Sequence, residues 1–514
     1  MRTSYRSLWR GMLALLLLGL IAARPGMAQD MLDQFEEKVT EFTLDNGLHF
    51  IIVERHEAPV VSFFTYADVG GVDELKGITG IAHMFEHMAF KGTTTVGTKD
   101  MAAEMQVMER IDAIYADLRQ EKQKGAMADE ARITQLQADL KAEQEAAREL
   151  MEDGEFEKVI ERAGGTGLNA TTSSDATRYF YSLPSNKMEL WFSLESDRFL
   201  NPVLREFYTE RDVVQEERRM RTESNPIGRL LEEFLTLSFK AHPYGEPVIG
   251  HMSDLQSFTR AEAEDFFKQY YGPQNLTIAI VGDVDPDEAK TMAETYFGRL
   301  PGGEKPSPVE TVEPPQLGER RVVIEEQSQP VLLIGYHKGS ITHPDDPVFD
   351  VLSDLLSRGR TSRIYKQLVE EDKIALQAGG FNNFPGNKYP NLFVFFTITN
   401  QGHSPEEAEQ AIYDILDDIR ENGVTEEELE RAKTRARADL VQQLQSNTGI
   451  AGQMTFYEVN TGDWRNLFRR LDEINAVTSD DIQRVVQETF TKQNRTVAMI
   501  KTTSEPTAAV IEDE

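Results

Sequence analysis

The chain contains an internal repeat, and a repeat of this length constrains the possible folds more than any local pattern does. A Thr-capped helical pattern beginning at Thr259 leads into the apolar segment 274–281. A similar pattern beginning at Thr478 leads into segment 493–500, and both features are displaced along the chain by the same distance. Each copy predicts an N-capped helix followed by a β-strand. The 514 residues therefore predict two homologous halves, rather than three or four independent domains.

The first half carries an insertion. Thr209 and Thr425 each open a charged helix and lie 216 residues apart. The strands that open at Pro59 and Pro330 lie 271 residues apart. The first half therefore has about 55 extra residues between its early strand and its charged helix. We place them at 99–155, where apolar residues spaced 3-4-3 predict two helices in an antiparallel hairpin. The pattern fits two alternatives: a solvent-exposed hairpin with a purely structural role, and a hairpin that gates the site or docks a partner.

The strand and turn pattern predicts the fold class. An Asn46–Gly47 turn joins two short β-patterns, a third strand follows, and helical patterns come afterwards. Strands joined by tight turns with helices grouped after them favour an α+β fold with antiparallel sheets. We expect one such domain at 29–300, a Pro- and Gly-rich linker at 301–319 and a homologous domain at 320–514.

Residues 1–28 have the pattern of a secretory signal peptide. Arg2, Arg6 and Arg10 precede an apolar run at 12–23, and small residues follow it. The run is short for a membrane span, which favours a cleaved peptide over an uncleaved anchor helix. We expect a protein exported to a bacterial periplasm, with no membrane insertion after cleavage.

Composition excludes several classes of site and partner. The chain has no cysteine, which excludes disulfides, thiolate metal sites and cysteine nucleophiles, so any transition metal must be bound by His, Asp or Glu. The formal net charge of −33 disfavours nucleic acid and anionic membrane surfaces as partners. The acidity fits either a preference for basic peptides or the solubility of an exported protein.

The segment His83-Met-Phe-Glu86-His87 has the form H-x-x-E-H, the reverse of the commoner zinc-protease order. On a helix, His83 and His87 project from one face and can bind one cation, and Glu86 can reach a water on that cation. The neighbouring residues are largely apolar and indicate a buried helix, which favours a metal site over two surface histidines.

A metal site of this kind needs a third protein ligand, and the charged helix that opens at Thr209 offers candidates. Glu210 and Glu217 lie seven residues apart, two turns along one face, so both can approach the same site. Spacing alone leaves either residue possible, and a solvent-exposed helix would have the same pattern.

The sequence resembles a known family, the pitrilysin/insulinase-type zinc peptidases. Within that family it is most similar to the mitochondrial processing peptidase group and its bacterial relatives. The resemblance covers nearly all of the chain after residue 28 and rests on H-x-x-E-H together with three further motifs: Leu168-Asn169-Ala170-Thr171, Glu210-Arg-Asp-Val-Val-Gln-Glu-Glu217 and His242-Pro243-Tyr244-Gly245. It implies two homologous α+β domains that form a clamshell around a peptide-holding chamber.

The resemblance also implies roles for individual residues. It implies zinc bound by His83, His87 and Glu217, with Glu86 as general base and Glu210 supporting the metal site from behind. Family members place the acidic ligand at a characteristic distance after the second His. Once the insertion is left out, the separation of Glu217 from His87 matches that distance to within one position, which selects Glu217 over its neighbouring acids.

The segment 168–180 resembles the edge strand that lies beside the zinc in this family, which assigns substrate binding to Asn169, Ala170 and Thr171. An extended peptide can add to such an edge by main-chain hydrogen bonds. Without the resemblance, an ordinary hairpin is the alternative interpretation of the same segment.

The second half lacks the metal motif, since Lys433 stands where the repeat would place Glu217. Relatives that act alone carry an Arg and a Tyr, seven residues apart, that bind substrate. Val369 and Leu376 occupy the matching positions here. Either one or more of Arg360, Arg363 and Tyr365 substitute, or a second peptidase-like subunit supplies the pair, in a heterodimer or a homodimer.

These observations predict a zinc-dependent endopeptidase that hydrolyses peptides or unfolded segments small enough to enter an enclosed chamber. The alternative is a peptide-binding or scaffold subunit of a two-subunit peptidase, with little activity alone. The complete H-x-x-E-H motif and acidic ligand favour the first function over the second.

Overall fold

The structure is a computed structural model that describes residues 27–503. The predicted signal peptide, 1–28, lies outside the described residues except for its last two, with which the first helix begins. Within 27–503, no helix combines the length and the apolar character needed to cross a bilayer.

The first half contains eleven α-helices and six strands among the described residues. In chain order they are α1 Met27–Glu36, β1 Val39–Thr43, β2 His49–Glu54, β3 Val60–Ala67, α2 Ile81–Met88, α3 Met101–Gln123, α4 Glu130–Glu149, α5 Glu155–Arg162, β4 Thr166–Thr172, β5 Thr177–Pro184, α6 Met188–Leu200, α7 Phe207–Arg218, α8 Pro226–Ser238, α9 Met252–Leu255, α10 Arg260–Tyr270, β6 Leu276–Gly282 and α11 Pro286–Tyr296. A π-helical turn, Arg219–Glu223, directly extends α7.

The second half contains six helices and five strands up to residue 503. They are β7 Arg320–Glu326, β8 Val331–Lys338, α12 Asp346–Ser357, β9 Ala375–Phe384, β10 Asn391–Thr399, α13 Pro405–Asn422, α14 Glu426–Gln443, α15 Asn447–Thr461, α16 Asn466–Ala476, α17 Ser479–Thr489 and β11 Arg495–Thr502. A second π-helical segment, Tyr365–Glu371, precedes β9.

Each half is built on one sheet. The strand order is β1-β2-β6-β3-β5-β4 in the first sheet and β7-β11-β8-β10-β9 in the second. Most neighbouring strands are antiparallel, and each sheet also contains one parallel pair, β2 with β6 and β7 with β11. The predicted α+β class with two related sheet-and-helix units is confirmed. In both sheets the last strand of the half inserts between earlier strands, so the two sheets are built in the same way.

The two halves exchange helices. From the second half, α15 packs Ile450 and Met454 against Phe64 on one face of the first sheet. From the first half, α8 packs Leu230 and Phe234 against the second sheet, beside residues of β8, β10 and β11. The starts of these two helices are separated by nearly the repeat distance, so the exchange is reciprocal. Each half therefore keeps a large core of its own, and two further hydrophobic clusters are shared between the halves.

A polar contact near the cleft also joins the halves. The carboxylate of Asp175, which is buried in the first half, accepts hydrogen bonds from the backbone amides of Asn387 and Lys388 at 2.6 and 3.1 Å. The Lys388 ammonium lies 2.7 Å from Asp68. The Tyr244 hydroxyl donates to Asp175 at 2.6 Å. The loop between β9 and β10 is thereby fixed to the first sheet.

The segment predicted as an insertion forms an antiparallel helical hairpin, α3 and α4, called the inserted hairpin below. It packs on α7 beyond the midpoint of α3, where the rings of Tyr115 and Tyr208 stack with centroids 4.2 Å apart. Asp112 accepts a hydrogen bond from the Tyr208 hydroxyl at 3.0 Å. Arg205 and Glu104 form a fully buried ion pair at 2.8 Å. The hairpin is therefore joined to the core along much of α3, and its turn at 125–127 is solvent-exposed.

Candidate metal centre

The helix that carries H-x-x-E-H is held firmly at its start. Gly80 precedes α2 with φ of 88°, and a Cβ there would lie 2.6 Å from the carbonyl oxygen of Ile249, so only glycine fits. The half-buried carboxylate of Glu74 accepts hydrogen bonds from the amides of Gly80 and Ala82 at 2.7 and 2.8 Å. A carboxylate at this position satisfies free amides of the first helical turn.

Three side chains converge on one point. His83 and His87 project from α2, and Glu217 faces them from the last turn of α7. The carboxylate oxygens of Glu217 lie 3.8 Å from His83 Nε2 and 3.2 Å from His87 Nε2. One ligand atom from each residue lies within 4.8 Å of the others. Ligands at ordinary Zn–N and Zn–O distances are ~3.3 Å apart in a tetrahedral site, so this donor set fits a zinc ion.

Three further contacts support the ligands: His87 with Glu210, Glu210 with Lys91, and Glu217 with Arg221. His87 donates from Nδ1 to Glu210 at 2.8 Å, which leaves Nε2 directed towards Glu217. The other carboxylate oxygen of Glu210 lies 2.8 Å from the Lys91 ammonium. Arg221 lies 2.7 Å from Glu217, four residues later on the π-helical extension. An imidazole held in this way has a fixed tautomer and a fixed orientation.

The pKa values within the site diverge. Burial lowers the pKa of His83 to about 3, helped by the positive charges of His87 and Arg221. Burial also lowers the pKa of His87, but the hydrogen bond to Glu210 and the surrounding carboxylates outweigh it and raise the pKa above its ordinary value. Burial raises the pKa of Glu210, but contacts with His87 and Lys91 outweigh it and lower the pKa. Glu210 is therefore held as a carboxylate.

Glu86 lies next to these ligands on the wall of a cavity. Burial raises the pKa of Glu86 and outweighs the opposing effects of Thr172 and His87. The cavity has a volume of about 810 Å³ and is also lined by the three converging side chains. A half-buried carboxylate with a raised pKa, beside a group of metal-ligand type, is suited to accept a proton.

The cavity is formed by both halves of the chain. Leu231, Val248 and Ile249 line it from the first half, and Phe384 and Pro385 line it from the end of β9 in the second half. Phe384 and Pro385 were not predicted, because nothing local in the sequence links them to the metal motif. Arg221 was not predicted either, although its spacing of four residues from Glu217 on one helix is a recognisable signal.

The predicted edge strand lies beside the cavity. β4 is the outer strand of the first sheet and pairs only with β5 among the described strands. Asn169 and Thr171 are exposed and Ala170 is buried. Thr171 lines the cavity, and the Asn169 side-chain oxygen accepts a hydrogen bond from the Ala170 amide at 3.0 Å. The strand is therefore open on its outer side, next to Glu86.

Other residues singled out in the sequence lie away from the metal site. His242 and Tyr244 are buried where the halves meet, and the ring of Tyr389 from the second half contacts both. Arg363 is ion-paired with Asp418 and Glu428 within the second half. The residues that line the cavity include none of the alternatives considered for the missing substrate-binding pair, namely Arg360, Arg363 and Tyr365.

Two family models match the chain. The model described as insulinase, peptidase family M16, matches residues 50–114 and 147–251. The residues between these two ranges, 115–146, lie within the inserted hairpin. The model described as the peptidase M16 inactive domain matches residues 257–436. The residues that match the first model include the three converging ligands. The residues that match the second model include most of the half that lacks the metal motif.

Similar proteins and solved structures span nearly the same length. The zinc protease PqqE of Helicobacter pylori is 28% identical over 466 residues, 89% of this chain and 92% of that protein. An uncharacterized zinc protease of Bacillus subtilis, YmxG, is 21% identical over 459 residues, 88% of this chain and 96% of that protein.

A solved protease structure from Helicobacter pylori has a TM-score of 0.75 and 27% identity, covering 90% of this chain and 99% of its own. The first half of the periplasmic protease PqqL from Escherichia coli shares the fold, with a TM-score of 0.66 and 18% identity over 90% of this chain and 92% of its own. The two family models, the relatives named zinc proteases and the shared fold agree. The chain belongs to the pitrilysin/insulinase-type family of peptidases, M16.

Proposed function

We propose that the protein is a zinc-dependent endopeptidase that hydrolyses peptides or unfolded segments within the cavity between its halves. The observation that carries this proposal is the convergence of His83, His87 and Glu217 at one point of the cavity wall, with Glu86 beside them. A scaffold subunit would not need a complete set of ligands together with a positioned base.

His83, His87 and Glu217 would hold the metal. Two imidazoles and one carboxylate are the donor set of catalytic zinc sites, which keep one position open for water or substrate. When bound, zinc supplies Lewis-acid chemistry, activating a water and polarising the peptide carbonyl. The low pKa of His83 keeps that imidazole neutral, and a neutral imidazole is the form that binds metals.

The proton transfers fall to Glu86. Its carboxylate accepts the proton of the attacking water and then passes it to the amine of the leaving peptide. Burial raises the pKa of Glu86, which makes its carboxylate a stronger base. The raised pKa also stabilises the protonated form until the proton is passed to the leaving amine. Glu210 keeps His87 oriented throughout, because the hydrogen bond at 2.8 Å fixes its Nδ1.

The substrate would bind along β4. A peptide in extended conformation can pair with the open side of this strand and place its scissile carbonyl near Glu86. Asn169, Ala170 and Thr171 would supply main-chain partners, and the apolar wall formed by Leu231 and Phe384 would receive side chains. A cavity of about 810 Å³ accepts a few residues of an unfolded chain and excludes a folded domain.

We propose a periplasmic location and a second peptidase-like subunit as partner. The signal-peptide pattern of residues 1–28 supports export, and the neighbour from Escherichia coli is described as periplasmic. Arg363 is ion-paired inside the second half, and Val369 and Leu376 occupy the positions of the missing pair. A partner, in a heterodimer or a homodimer, would supply those groups, so the purified chain alone should turn over slowly.

Metal removal tests the proposed function. We expect the purified protein, with any co-purifying partner, to contain zinc and to cleave an unfolded polypeptide, and to lose cleavage when the metal is chelated. Added zinc should restore cleavage, and added magnesium should not, because the imidazole donors disfavour magnesium. Cleavage that persists in fully metal-free protein would refute a metal-dependent mechanism.

The pH dependence of zinc binding provides a second prediction. Protons and zinc compete for His87, so zinc affinity should fall about tenfold per pH unit below the pKa of His87. Burial lowers the pKa of His87, but Glu210 outweighs this effect and holds that pKa above its ordinary value. Glu210→Gln should therefore lower the pH at which zinc affinity begins to fall. Titrating metal-free protein with zinc from about pH 5 to pH 8 measures this shift. An unchanged onset in Glu210→Gln would contradict the assigned role of Glu210.

A further inference from the structure

A continuous series of charged contacts runs from the inserted hairpin to a metal-ligand side chain, and we call it the ion chain. Arg148, in the last turn of α4, donates to Glu206 at 3.3 Å. The other oxygen of Glu206 accepts from Lys91 at 3.1 Å, and Lys91 lies 2.8 Å from Glu210. Glu210 then accepts from His87. Positive and negative groups alternate from Arg148 to Glu210, and the series ends at the imidazole of His87.

The middle of the ion chain is shielded from solvent. The side chains of Glu206 and Glu210 are 15% and 13% exposed, and that of Lys91 is 25% exposed, whereas Arg148 at the outer end is 58% exposed. Contacts among shielded charges are screened less by water and salt than contacts on an open surface. The inner members are therefore coupled more strongly than an ordinary surface ion pair.

The backbone of Glu206 has an unusual conformation. Its φ is 56°, in the left-handed region, and it is one of three non-glycine residues with positive φ among residues 27–503. This conformation places Glu206 at the cap of α7, where its carbonyl accepts from the Glu210 amide at 2.8 Å. A strained residue persists only where its surroundings fix it. The Glu206 backbone is held by the Glu210 amide, and its carboxylate is held by Lys91 and Arg148.

The preceding residue makes a parallel connection. Arg205 is fully buried, pairs with Glu104 of α3 and donates to the carbonyls of Lys91 and Thr93 at 2.6 and 2.7 Å. Residues 205 and 206 therefore each join the inserted hairpin to the segment that follows the metal-binding helix. Arg205 binds the backbone carbonyl of Lys91, and Glu206 binds the ammonium group of Lys91.

From this geometry we propose that Glu206 is a positioning residue through which the inserted hairpin sets the orientation of His87. This inference rests on the proposed function, because it concerns the same metal site, and it gives the inserted hairpin a role in that site. The hairpin braces α7 and, through the ion chain, limits the positions that Glu210 and His87 can adopt. A change at Arg148 should therefore alter metal binding although Arg148 contacts no ligand.

Metal affinity of the full-length mature chain tests this inference, measured by chelator competition with zinc and by the visible absorption of bound cobalt(II). We expect Glu206→Gln to weaken zinc affinity about tenfold, at the low end of the range for residues that support metal ligands. Arg148→Gln should weaken it about threefold, as befits a more exposed contact. Arg148→Lys keeps the charge and should restore most of the affinity.

Matched controls separate coupling from loss of charge. Arg132→Gln removes an exposed ion pair with Asp117 from the same hairpin and should leave affinity unchanged. Glu216→Gln removes an exposed carboxylate from α7 and should also leave it unchanged. Thermal unfolding of each variant confirms that the fold is intact.

The decisive measurement is the effect of Arg148→Gln in a Glu210→Gln background. If the ion chain carries the effect, removing Glu210 disconnects it, and Arg148→Gln should then change neither zinc affinity nor the cobalt absorption bands. A threefold loss in both backgrounds would overturn the inference, because the hairpin would then act by general stabilisation. Failure of the unaltered protein to bind zinc or cobalt would refute the proposed function as well, so the two failures are distinguishable.

Discussion

Replacing Glu86 with Gln is expected to abolish peptide cleavage while leaving zinc bound. The amide has the size of the carboxylate but cannot accept the proton of the attacking water. A general base of this kind contributes about 10²- to 10⁴-fold to the rate, so cleavage should fall by that factor. The metal should remain, because His83, His87 and Glu217 are unchanged and Glu86 is not among the converging ligands.

The measurement is zinc content together with cleavage of an unfolded polypeptide by the same preparation. Glu246→Gln provides the matched control, since Glu246 lines the same cavity but pairs with His251 and Lys76 instead of lying among the ligands. Its cleavage should stay within about twofold of the unaltered protein, as for most substitutions outside the reacting groups. If Glu86→Gln kept zinc and full cleavage, another group would have to be the base.

Replacing Glu217 with Gln is expected to release the metal. The carboxylate supplies the only negative charge among the three converging ligands, and a neutral amide is a poor zinc ligand. Removing a ligand should cost more than the 10- to 100-fold typical of residues that only support one, so we expect zinc affinity to fall by more than about 100-fold. Cleavage should be lost in parallel and should return only at high added zinc.

The adjacent residue offers a demanding control. Glu216 lies on the same helix, but its side chain is 67% exposed and pairs with Arg219. Glu216→Gln makes the same chemical change one position away and should leave zinc content and cleavage unchanged. Zinc loss in Glu216→Gln with retention in Glu217→Gln would show that the acidic ligand had been assigned to the wrong residue.

Much of this site could be predicted because its key spacings are local. His83 and His87 meet because four residues make about one helical turn, and Glu210 and Glu217 reach the site together because seven residues make two. The inserted hairpin was also predictable, since 3-4-3 spacing marks a buried stripe, and Met108 and Ile111 are buried in it. In each case one element determines the arrangement.

The remaining features depend on contacts distant in the sequence. Phe384 reaches the cavity only because the loop after β9 is fixed to Asp175, and neither residue carries a local signal of that contact. Lys91 and Glu206 meet because Arg205 anchors the loop after α2. The repeat spacing also relates α8 to α15, but neither helix was singled out in the sequence, because packing against the opposite sheet is a property of the assembled core.

The exchange of α8 and α15 has a consequence for the order in which the protein is made. During synthesis, the first sheet is complete once residue 282 has emerged, but the face that carries Phe64 and Val281 has no cover until α15 follows. A nascent chain that ends before residue 447 therefore exposes an apolar sheet surface, and such surfaces aggregate or recruit chaperones. Folding of the first half should finish only when the second half is nearly complete. The first half should therefore not fold as an independent unit while the second half is still being synthesised.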